Sequence, residues 1–171
     1  NWQNELEKSQ TKSDIDKFIE KMQELNLINS IFIDATASEE IATKYEKILR
    51  ASISVVTPNK KACSSDAERY LKLNLAASKS NAKFFYETNV GAGLPILSTL
   101  NDLINSGDEI LRIEAVLSGT LSYIFNSFDG KKSFSSVVKK AQEKGYTEPD
   151  PRDDLNGLDV GRKLLILARE T

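Results

Sequence analysis

The sequence predicts an α/β fold, and its first half predicts a parallel sheet flanked by helices. Short β-branched or aromatic runs alternate with helical patterns over residues 1–90, and the connections between them are short. The length of 171 residues leaves room for one domain, or for one and a part of another. All eight glycines lie after residue 90, where about six would be expected before it at an average usage of roughly 7%. The two halves are therefore built in different styles.

Three strands and three helices are predicted in the first half. The strands, each a short apolar or β-branched run, are predicted at 31–34, 53–56 and 84–87. The second strand ends where Pro58 interrupts it, since proline cannot join a ladder. Apolar residues at helical spacing predict helices at 15–25, 39–48 and 65–80. Ser13 or Asp14 is expected to cap the first helix, and Ser38 the second.

The second half predicts four helices and one strand. The helices are expected at 96–104, from Ser118 onwards, over 134–141 and over 153–169. Glycines 107 and 145 end the first and third of these, as glycine often does. Alternating residues predict a long strand over 110–117. The onset of glycines and the end of the strand–helix alternation make residues 90–94 the best position for a domain boundary.

The composition excludes several kinds of site. Without glycine in residues 1–90, no phosphate-cradling loop can lie there. Without histidine and with Cys63 alone, zinc fingers, Ser-His-Asp triads, Cys-His dyads and internal disulfides are excluded. A net charge of -2 provides no strong field for nucleic acid or anionic membrane, and no apolar run is long enough to span a bilayer. The single cysteine fits a cytoplasmic location, and the start without Met indicates a piece of something longer.

An acid-rich segment, residues 145–163, is the first candidate site. Asp159 and Lys163 stand four residues apart, which places both on one helical face. They form either an ordinary surface pair or a functional one, and the nearly all-apolar residues around them predict that this helix is buried. A buried Asp–Lys pair is costly without a function or further partners.

Three loops that follow predicted strands are further candidates. Lys60 lies in the loop that directly follows the second strand, where ligands bind open α/β sheets, although a solvated lysine would look the same. Thr36 stands in the same relation to the first strand, where a small hydroxyl residue either contacts a ligand or caps the next helix. The glycine-rich turn at 90–95 is too short for a dinucleotide fingerprint. It is either a plain tight turn or a set of carbonyls for a hard cation.

Taken together and in this order, these segments resemble the homoserine dehydrogenase family, and the resemblance covers the whole chain. The motif at residues 145–163 is long enough to be specific by itself. The chain is most similar to the dehydrogenase half of bifunctional aspartokinase–homoserine dehydrogenases. The motifs are IDATAS (33–38), VVTPNKKA (55–62), FYETNVGAGLP (85–95), SGTLSYIFN (118–126) and GYTEPDPRDDLNGLDVGRK (145–163).

The resemblance implies an NAD(P)-dependent oxidoreductase that interconverts L-homoserine and L-aspartate 4-semialdehyde in threonine and methionine synthesis. It implies a partial Rossmann-like parallel sheet followed by the start of an α+β catalytic and dimerisation domain. Residues 1–92 would be the end of the NAD(P)-binding domain and 93–171 the beginning of the catalytic one. It also implies a homo-oligomer formed through the catalytic domain.

The resemblance assigns roles to residues of this chain. Lys163 would donate a proton to the developing alkoxide, Asp159 would hold it, and Lys60 would lie beside nicotinamide and substrate. The substrate-binding residues would be Glu148, Asp159, Asp154, Tyr146, Gly119 and Thr120. The residues that contact NADP or NAD would be Thr36, Lys60 and Gly145. The carbonyls of a structural monovalent-cation site, usually sodium, would be those of Glu87, Val90, Ala92 and Leu94.

The sequence departs from the family pattern in three ways. The N-terminal glycine-rich dinucleotide loop is absent, and the chain stops at Thr171, before the rest of the catalytic domain. Gly161 stands where the family would have alanine, at a cost of roughly 1 kcal/mol in helix propensity. The alternative hypothesis is therefore a non-catalytic structural or oligomerisation fragment, inactive as the isolated chain.

Overall fold

The computed structural model describes all residues from 1 to 171 as an arrangement of short helices around a small sheet. Two of its helices, Trp2–Lys8 and Lys60–Cys63, lie outside the predicted patterns. The strands are β1 (Ile31–Ile33), β2 (Ser54–Val56) and β3 (Phe84–Phe85). The helices are α1 (Trp2–Lys8), α2 (Ile15–Leu25), α3 (Glu39–Thr43), α4 (Tyr45–Arg50), α5 (Lys60–Cys63), α6 (Ala67–Lys79), α7 (Ile96–Asn105), α8 (Gly119–Ser127), α9 (Phe134–Glu143), α10 (Pro151–Leu155) and α11 (Leu158–Arg169). A short 3-10 turn, Glu87–Asn89, follows β3.

The three strands form one parallel sheet in the order β1-β2-β3, which confirms the predicted parallel α/β half. Ile31 pairs with Ser54, and Val55 pairs with Phe84. The central strand has its middle residue, Val55, fully buried, whereas Ile31 and Ile33 of the outer strand are exposed on one face. All three strands end at the same edge, so the loops that follow them meet there.

The main core lies between this sheet and the helices of the first half. Thirteen buried residues form it, among them Tyr45, Ile48 and Leu73, and burial of each large apolar side chain contributes about 1.5–3 kcal/mol. A second, smaller cluster is more important for the site. It joins Cys63 of α5 and Val90 to Leu97 of α7 and to Ile166 and Leu167 of α11, and so packs the last helix against the first half.

Two helices predicted as continuous are each broken in two. The helix predicted at 39–48 is α3 and α4, which meet at Lys44. The helix predicted at 153–169 is α10 and α11, separated by Asn156 and Gly157. Gly157 has φ +71°, a left-handed conformation that ends one helix and starts the next in a new direction. The apolar pattern did not reveal the first break because α3 and α4 both bury apolar residues, and it did not reveal the second because α10 buries none and adds no apolar pattern of its own.

The strand predicted at 110–117 is wrong: this segment forms no ladder. No strand of the chain lies beside it, and Leu111 and Val116 are 86% and 78% exposed. An alternating pattern produces a strand only where a neighbour supplies the hydrogen bonds. Helix α11 is not buried all round, although its apolar sequence predicts that it is. Leu158 and Leu164 are each 60% exposed, and the face that carries Ile166 and Leu167 packs on α5 and α7.

No helix of the structure has both the length and the apolar character needed to cross a bilayer.

Candidate active site

Lys60 is the first residue of α5, and a buried polar network positions the loop before it. Asn59 caps α5, with its side-chain oxygen accepting from the Lys61 amide at 3.2 Å. The Asn59 amide nitrogen donates to the Asp34 carboxylate at 3.1 Å and to the Ser38 carbonyl at 2.8 Å. These hydrogen bonds join the loop after β1 to the loop after β2, next to Lys60.

Asp34 is the centre of this network and is only 2% exposed. It accepts hydrogen bonds from the Tyr45 hydroxyl and from the backbone amide of Thr36 as well as from Asn59. Burial alone would raise the pKa of the Asp34 carboxyl, but these hydrogen bonds outweigh it and hold the pKa below its usual value. The site therefore rests on an ionised, fully satisfied carboxylate.

Asp159 lies between two lysines. Its Oδ2 is 2.7 Å from Lys163 Nζ, one turn along α11, and its Oδ1 is 3.1 Å from Lys60 Nζ on α5. The first contact confirms the predicted shared helical face. The second joins residues from opposite halves of the chain, because α11 packs against α5.

The prediction that the Asp159–Lys163 pair is buried is wrong. The Asp159 side chain is 50% exposed, while those of Lys60 and Lys163 are 25% and 20% exposed. The Lys163 side chain is mostly covered, whereas Asp159 keeps half of its side chain open to solvent. This cluster is accessible to a small molecule.

The charges of the cluster are unevenly balanced. Partial burial would raise the pKa of the Asp159 carboxyl, but hydrogen bonds from Lys163 and Lys60 outweigh it and lower the pKa. One carboxylate faces two ammonium groups, which leaves a net positive charge. Lys163 also donates to the Leu117 carbonyl at 2.8 Å, a contact that aims its ammonium towards the start of α8. Such a cluster can stabilise negative charge that develops on a bound oxygen.

The acid-rich segment before α11 folds back on itself. The Asp154 carboxylate accepts from the Glu148 backbone amide at 2.8 Å, and Asp150 caps α10. The Thr120 hydroxyl donates to the Tyr146 carbonyl at 2.5 Å, and the Tyr146 ring packs edge-on against Tyr123 with centroids 4.9 Å apart. The structure thus gathers Glu148, Asp154, Tyr146 and Thr120 where α8 and α10 meet.

A cavity of about 400 Å³ connects the lysine cluster with the glycine-rich turn. Lys163 and Gly119 line one side of it, and Val90, Ala92 and Leu94 line another. Residues 113–117 form part of its wall. The volume is in the range of small-ligand sites, and the lining is mostly apolar with a few polar groups, as is usual for such sites.

The turn at 90–94 presents backbone carbonyls. Gly91 and Ala92 have φ of +81° and +51°, so the chain reverses there within a few residues. The Val90 and Ala92 carbonyls accept no hydrogen bond, whereas those of Glu87 and Leu94 accept from Val90 and Ile96 at 3.4 and 2.9 Å. The Glu87 carboxylate is occupied by the Leu97 and Ser98 amides at the start of α7. No group of three acidic, cysteine or histidine side chains could hold a metal ion.

Gly145 and Thr36, both predicted to contact the cofactor, have structural roles, and no hydrogen bond joins one to the other. Gly145, with φ +70°, ends α9 in a left-handed conformation, and the next amide returns to the Ala141 carbonyl. The Thr36 hydroxyl accepts from the Ser38 amide. Thr36 is nevertheless at the carboxyl edge of the sheet, one loop away from Lys60.

Sequence reasoning missed the network under Lys60. Asp34, Tyr45 and Asn59 come from three separate segments, and only tertiary contact shows that they share hydrogen bonds. One signal was present: an aspartate directly after an apolar strand enters the carboxyl edge of the sheet. The Leu117 carbonyl, as a backbone group, left no signal in the sequence.

The parallel sheet and the polar cluster beyond its carboxyl edge define the class as α/β proteins with a Rossmann-like dinucleotide-binding domain. Two family models match the chain. The model described as homoserine dehydrogenase, NAD binding domain, matches residues 1–87, and the model described as homoserine dehydrogenase matches residues 95–171. The chain belongs to the homoserine dehydrogenase family.

Individual relatives agree with the family models. The chain is 53% identical to bifunctional aspartokinase/homoserine dehydrogenase 2, chloroplastic, of Arabidopsis thaliana, covering 99% of this chain and 19% of that protein. It is 50% identical to a homoserine dehydrogenase of Schizosaccharomyces pombe, covering 98% and 46%. A hyperthermophilic archaeal homoserine dehydrogenase solved with NADPH superposes with a TM-score of 0.72 at 32% identity, covering 85% and 45%. The chain thus spans less than half of the length of each of these relatives.

Proposed function

We propose that the protein containing this chain is an NAD(P)-dependent homoserine dehydrogenase, which interconverts L-homoserine and L-aspartate 4-semialdehyde. The observation that carries the proposal is the Lys60–Asp159–Lys163 cluster, which stands at the carboxyl edge of the parallel sheet and beside a small-ligand cavity. Membership of the family supports the substrate.

Lys163 is the proton donor in this proposal. Reduction of an aldehyde develops negative charge on its oxygen, and a cationic acid within hydrogen-bond reach lowers the barrier. Asp159 holds the Lys163 ammonium in place at 2.7 Å and keeps Lys60 beside it. In the reverse direction the neutral amine of the same lysine takes the proton from the hydroxyl of homoserine and becomes the ammonium again.

The acid-rich cluster binds the substrate's polar ends. Homoserine carries an ammonium group, a carboxylate and a hydroxyl, and a site that mixes acids and lysines suits all three. Glu148 and Asp159 are assigned to the ammonium and hydroxyl ends of the substrate. The Asp154 carboxylate holds the backbone amide of Glu148 in place. The other pocket residues are Gly119, Thr120 and Tyr146.

The cofactor, NADP or NAD, supplies the hydride acceptor or donor when it is bound. The residues that would hold it are Thr36 and Lys60, at the ends of β1 and β2, and Gly145. The fit rests on the geometry of the first two, since ligands of open parallel sheets bind beyond the carboxyl ends of the strands. Lys60, placed there by the Asp34 network, orients the reacting groups and adds positive charge.

The carbonyl turn is proposed as a monovalent-cation site, formed by Glu87, Val90, Ala92 and Leu94. The unpaired carbonyls of Val90 and Ala92 support it, because a hard cation prefers backbone oxygens that no amide already occupies. Sodium would tie β3 to α7 there.

The organisation of the whole protein is proposed on the same basis. Residues 1–92 would belong to the NAD(P)-binding domain and 93–171 to a catalytic domain through which the protein forms homo-oligomers. A linked aspartate kinase is proposed from the bifunctional relatives. A cytoplasmic location stays a prediction.

An assay at full natural length tests the function. We expect NADP- or NAD-dependent oxidation of L-homoserine, followed by nicotinamide absorbance, and a Lys163→Ala turnover lower by about 10²–10⁴-fold, as for other general acids. Cofactor affinity, measured by titration, should stay near that of the unchanged protein.

Lys21→Ala is the matched control, since Lys21 forms only an exposed i,i+3 pair with Glu24 in α2. Normal turnover after Lys163→Ala would contradict the assignment of the proton donor. The absence of both cofactor binding and turnover from the unchanged full-length protein would contradict the proposed function. Tight, saturable cofactor binding by the isolated 171-residue chain would contradict the structural-fragment alternative.

A further inference from the structure

The end of α11 is fastened to the first half of the chain by two neighbouring residues outside the site described above. The Arg169 guanidinium donates to the Cys63 carbonyl at 2.6 Å through Nη1 and to the Ser65 carbonyl at 2.7 Å through Nη2. It also lies over the Tyr70 ring, with 4.8 Å between its central carbon and the ring centroid. These two carbonyls have no other hydrogen-bond partner.

Glu170 continues the attachment. Its Oε1 accepts from the hydroxyls of Tyr70 and Tyr86 at 2.9 and 2.6 Å, and its Oε2 accepts from Asn101 of α7 at 3.2 Å. Arg169 and Glu170, here called the α11 clamp, therefore contact α5, α6, α7 and the residue after β3. All these contacts are distant in sequence.

The clamp holds the helix that carries Lys60. Helix α5 has only four residues, with Lys60 at its start and Cys63 at its end. Asn59 and Asp34 hold its first end, and Arg169 holds its last carbonyl. Because Arg169 belongs to the same helix as Asp159 and Lys163, its contacts act together with the apolar cluster of Cys63 and Ile166 to set how α11 lies against α5.

We infer that Arg169 is a positioning residue that brings Lys60 within reach of Asp159. The inference rests on the proposed function for its catalytic consequence, but not for its geometry. A planar guanidinium donates to two carbonyls from two separate nitrogens while its flat face lies on a ring, a geometry that the single nitrogen of a lysine ammonium does not reproduce. The Asp159–Lys163 contact lies within α11 and does not depend on the clamp.

Zero-length cross-linking tests the geometry. A water-soluble carbodiimide activates Asp159, and attack by a lysine amine gives an amide that peptide mass spectrometry identifies. At full natural length we expect both Asp159–Lys60 and Asp159–Lys163 cross-links. In Arg169→Ala the first should fall about tenfold, the population shift that 1.4 kcal/mol of lost anchoring produces, while the second persists or rises.

Two further variants keep the test decisive. Arg169→Lys retains the charge and should lose only part of the Asp159–Lys60 cross-link, and it replaces Arg169→Ala if that variant does not fold. Arg50→Ala is the control, since Arg50 forms only an exposed i,i+4 pair with Glu46. It should leave both cross-links unchanged.

Kinetics separate the inference from the proposed function. Where the unchanged protein oxidises homoserine, Arg169→Ala should lower kcat and raise the KM for the cofactor, because Lys60 is assigned to both, with Arg169→Lys between the two. An undiminished Asp159–Lys60 cross-link overturns the inference, and a lost cross-link with normal kcat overturns its catalytic consequence. If the unchanged protein lacks turnover, the proposed function fails, and the cross-link ratio alone decides the positioning role.

Discussion

At the scale of single residues, the candidate site is built on one carboxylate shared by two lysines and on a second, buried carboxylate in the loop network next to Lys60. Asp159 is half exposed and its partners move its pKa down, so it acts as a fixed negative charge between Lys60 and Lys163. Asp34 is buried and accepts from three donors, so its role is to order the loops that carry the site.

Asp34→Asn should destabilise the chain in a pH-dependent way. At pH 7 we expect a loss of about 1–3 kcal/mol in the free energy of unfolding, because an amide nitrogen would face donors. The folded pKa of Asp34 lies below its ordinary value of 3.8, so its contribution is complete above that value. It is lost as the pH falls through the folded pKa, and the difference between variant and unchanged chain should then shrink.

Urea unfolding at several pH values measures this difference. Asp102→Asn is the control, since Asp102 lies exposed on α7, and its effect should stay within about 0.5 kcal/mol. A difference for Asp34→Asn that is the same at pH 7 and at pH 3 would show that the carboxylate charge is not what stabilises the loops.

At the scale of elements, short helices orient the site, and their boundaries depend on individual backbone conformations. The break at Gly157 lets α11 leave α10 in a new direction, so Asp159 and Lys163 face α5 while Asp154 holds the chain at Glu148. A continuous helix over 153–169 would keep the carboxylates of Asp154 and Asp159 along one straight helix axis.

Gly161→Ala should stabilise α11. The position is helical, and a Cβ there would meet no atom within 4 Å, so alanine gains up to about 1 kcal/mol of helix propensity without a clash. Gly157→Ala is the matched contrast, because its φ of +71° would cost an L-residue about 1–2 kcal/mol. Thermal unfolding of both variants measures this, and a Tm that falls for Gly161→Ala would be the contrary result.

At the scale of the whole molecule, the second half of the chain has a much smaller buried core than the first half. The sheet and its helices form a core of thirteen residues, whereas the cluster around Ile124 in the second half contains three. The segment 110–117 crosses this half without a neighbouring strand.

We expect fast hydrogen exchange for the amides of residues 110–117 in the 171-residue chain. None of them donates a backbone hydrogen bond, whereas the Val55 amide donates to the Lys83 carbonyl at 2.8 Å in the buried strand. Exchange followed by mass spectrometry should show 110–117 among the first segments to exchange and β2 among the last. Protection of 110–117 equal to that of β2 would mean that the segment has found a ladder partner.

The amino-acid sequence by itself determined the parallel sheet, most of the helices and the Asp159–Lys163 contact. These depend on local periodicity: apolar strands alternating with helices, and a spacing of four residues that puts two side chains on one face. The family motifs, read in order, pointed to the same site residues.

Only the tertiary structure decided which distant groups meet. The approach of Lys60 to Asp159, the Asp34 network and the α11 clamp join segments far apart in sequence, and packing of α11 against α5 brings them together. It also decided that 110–117 is not a strand, because a strand needs hydrogen-bond partners that no local pattern can supply. Local spacing thus defined the individual pieces, and long-range packing defined the site.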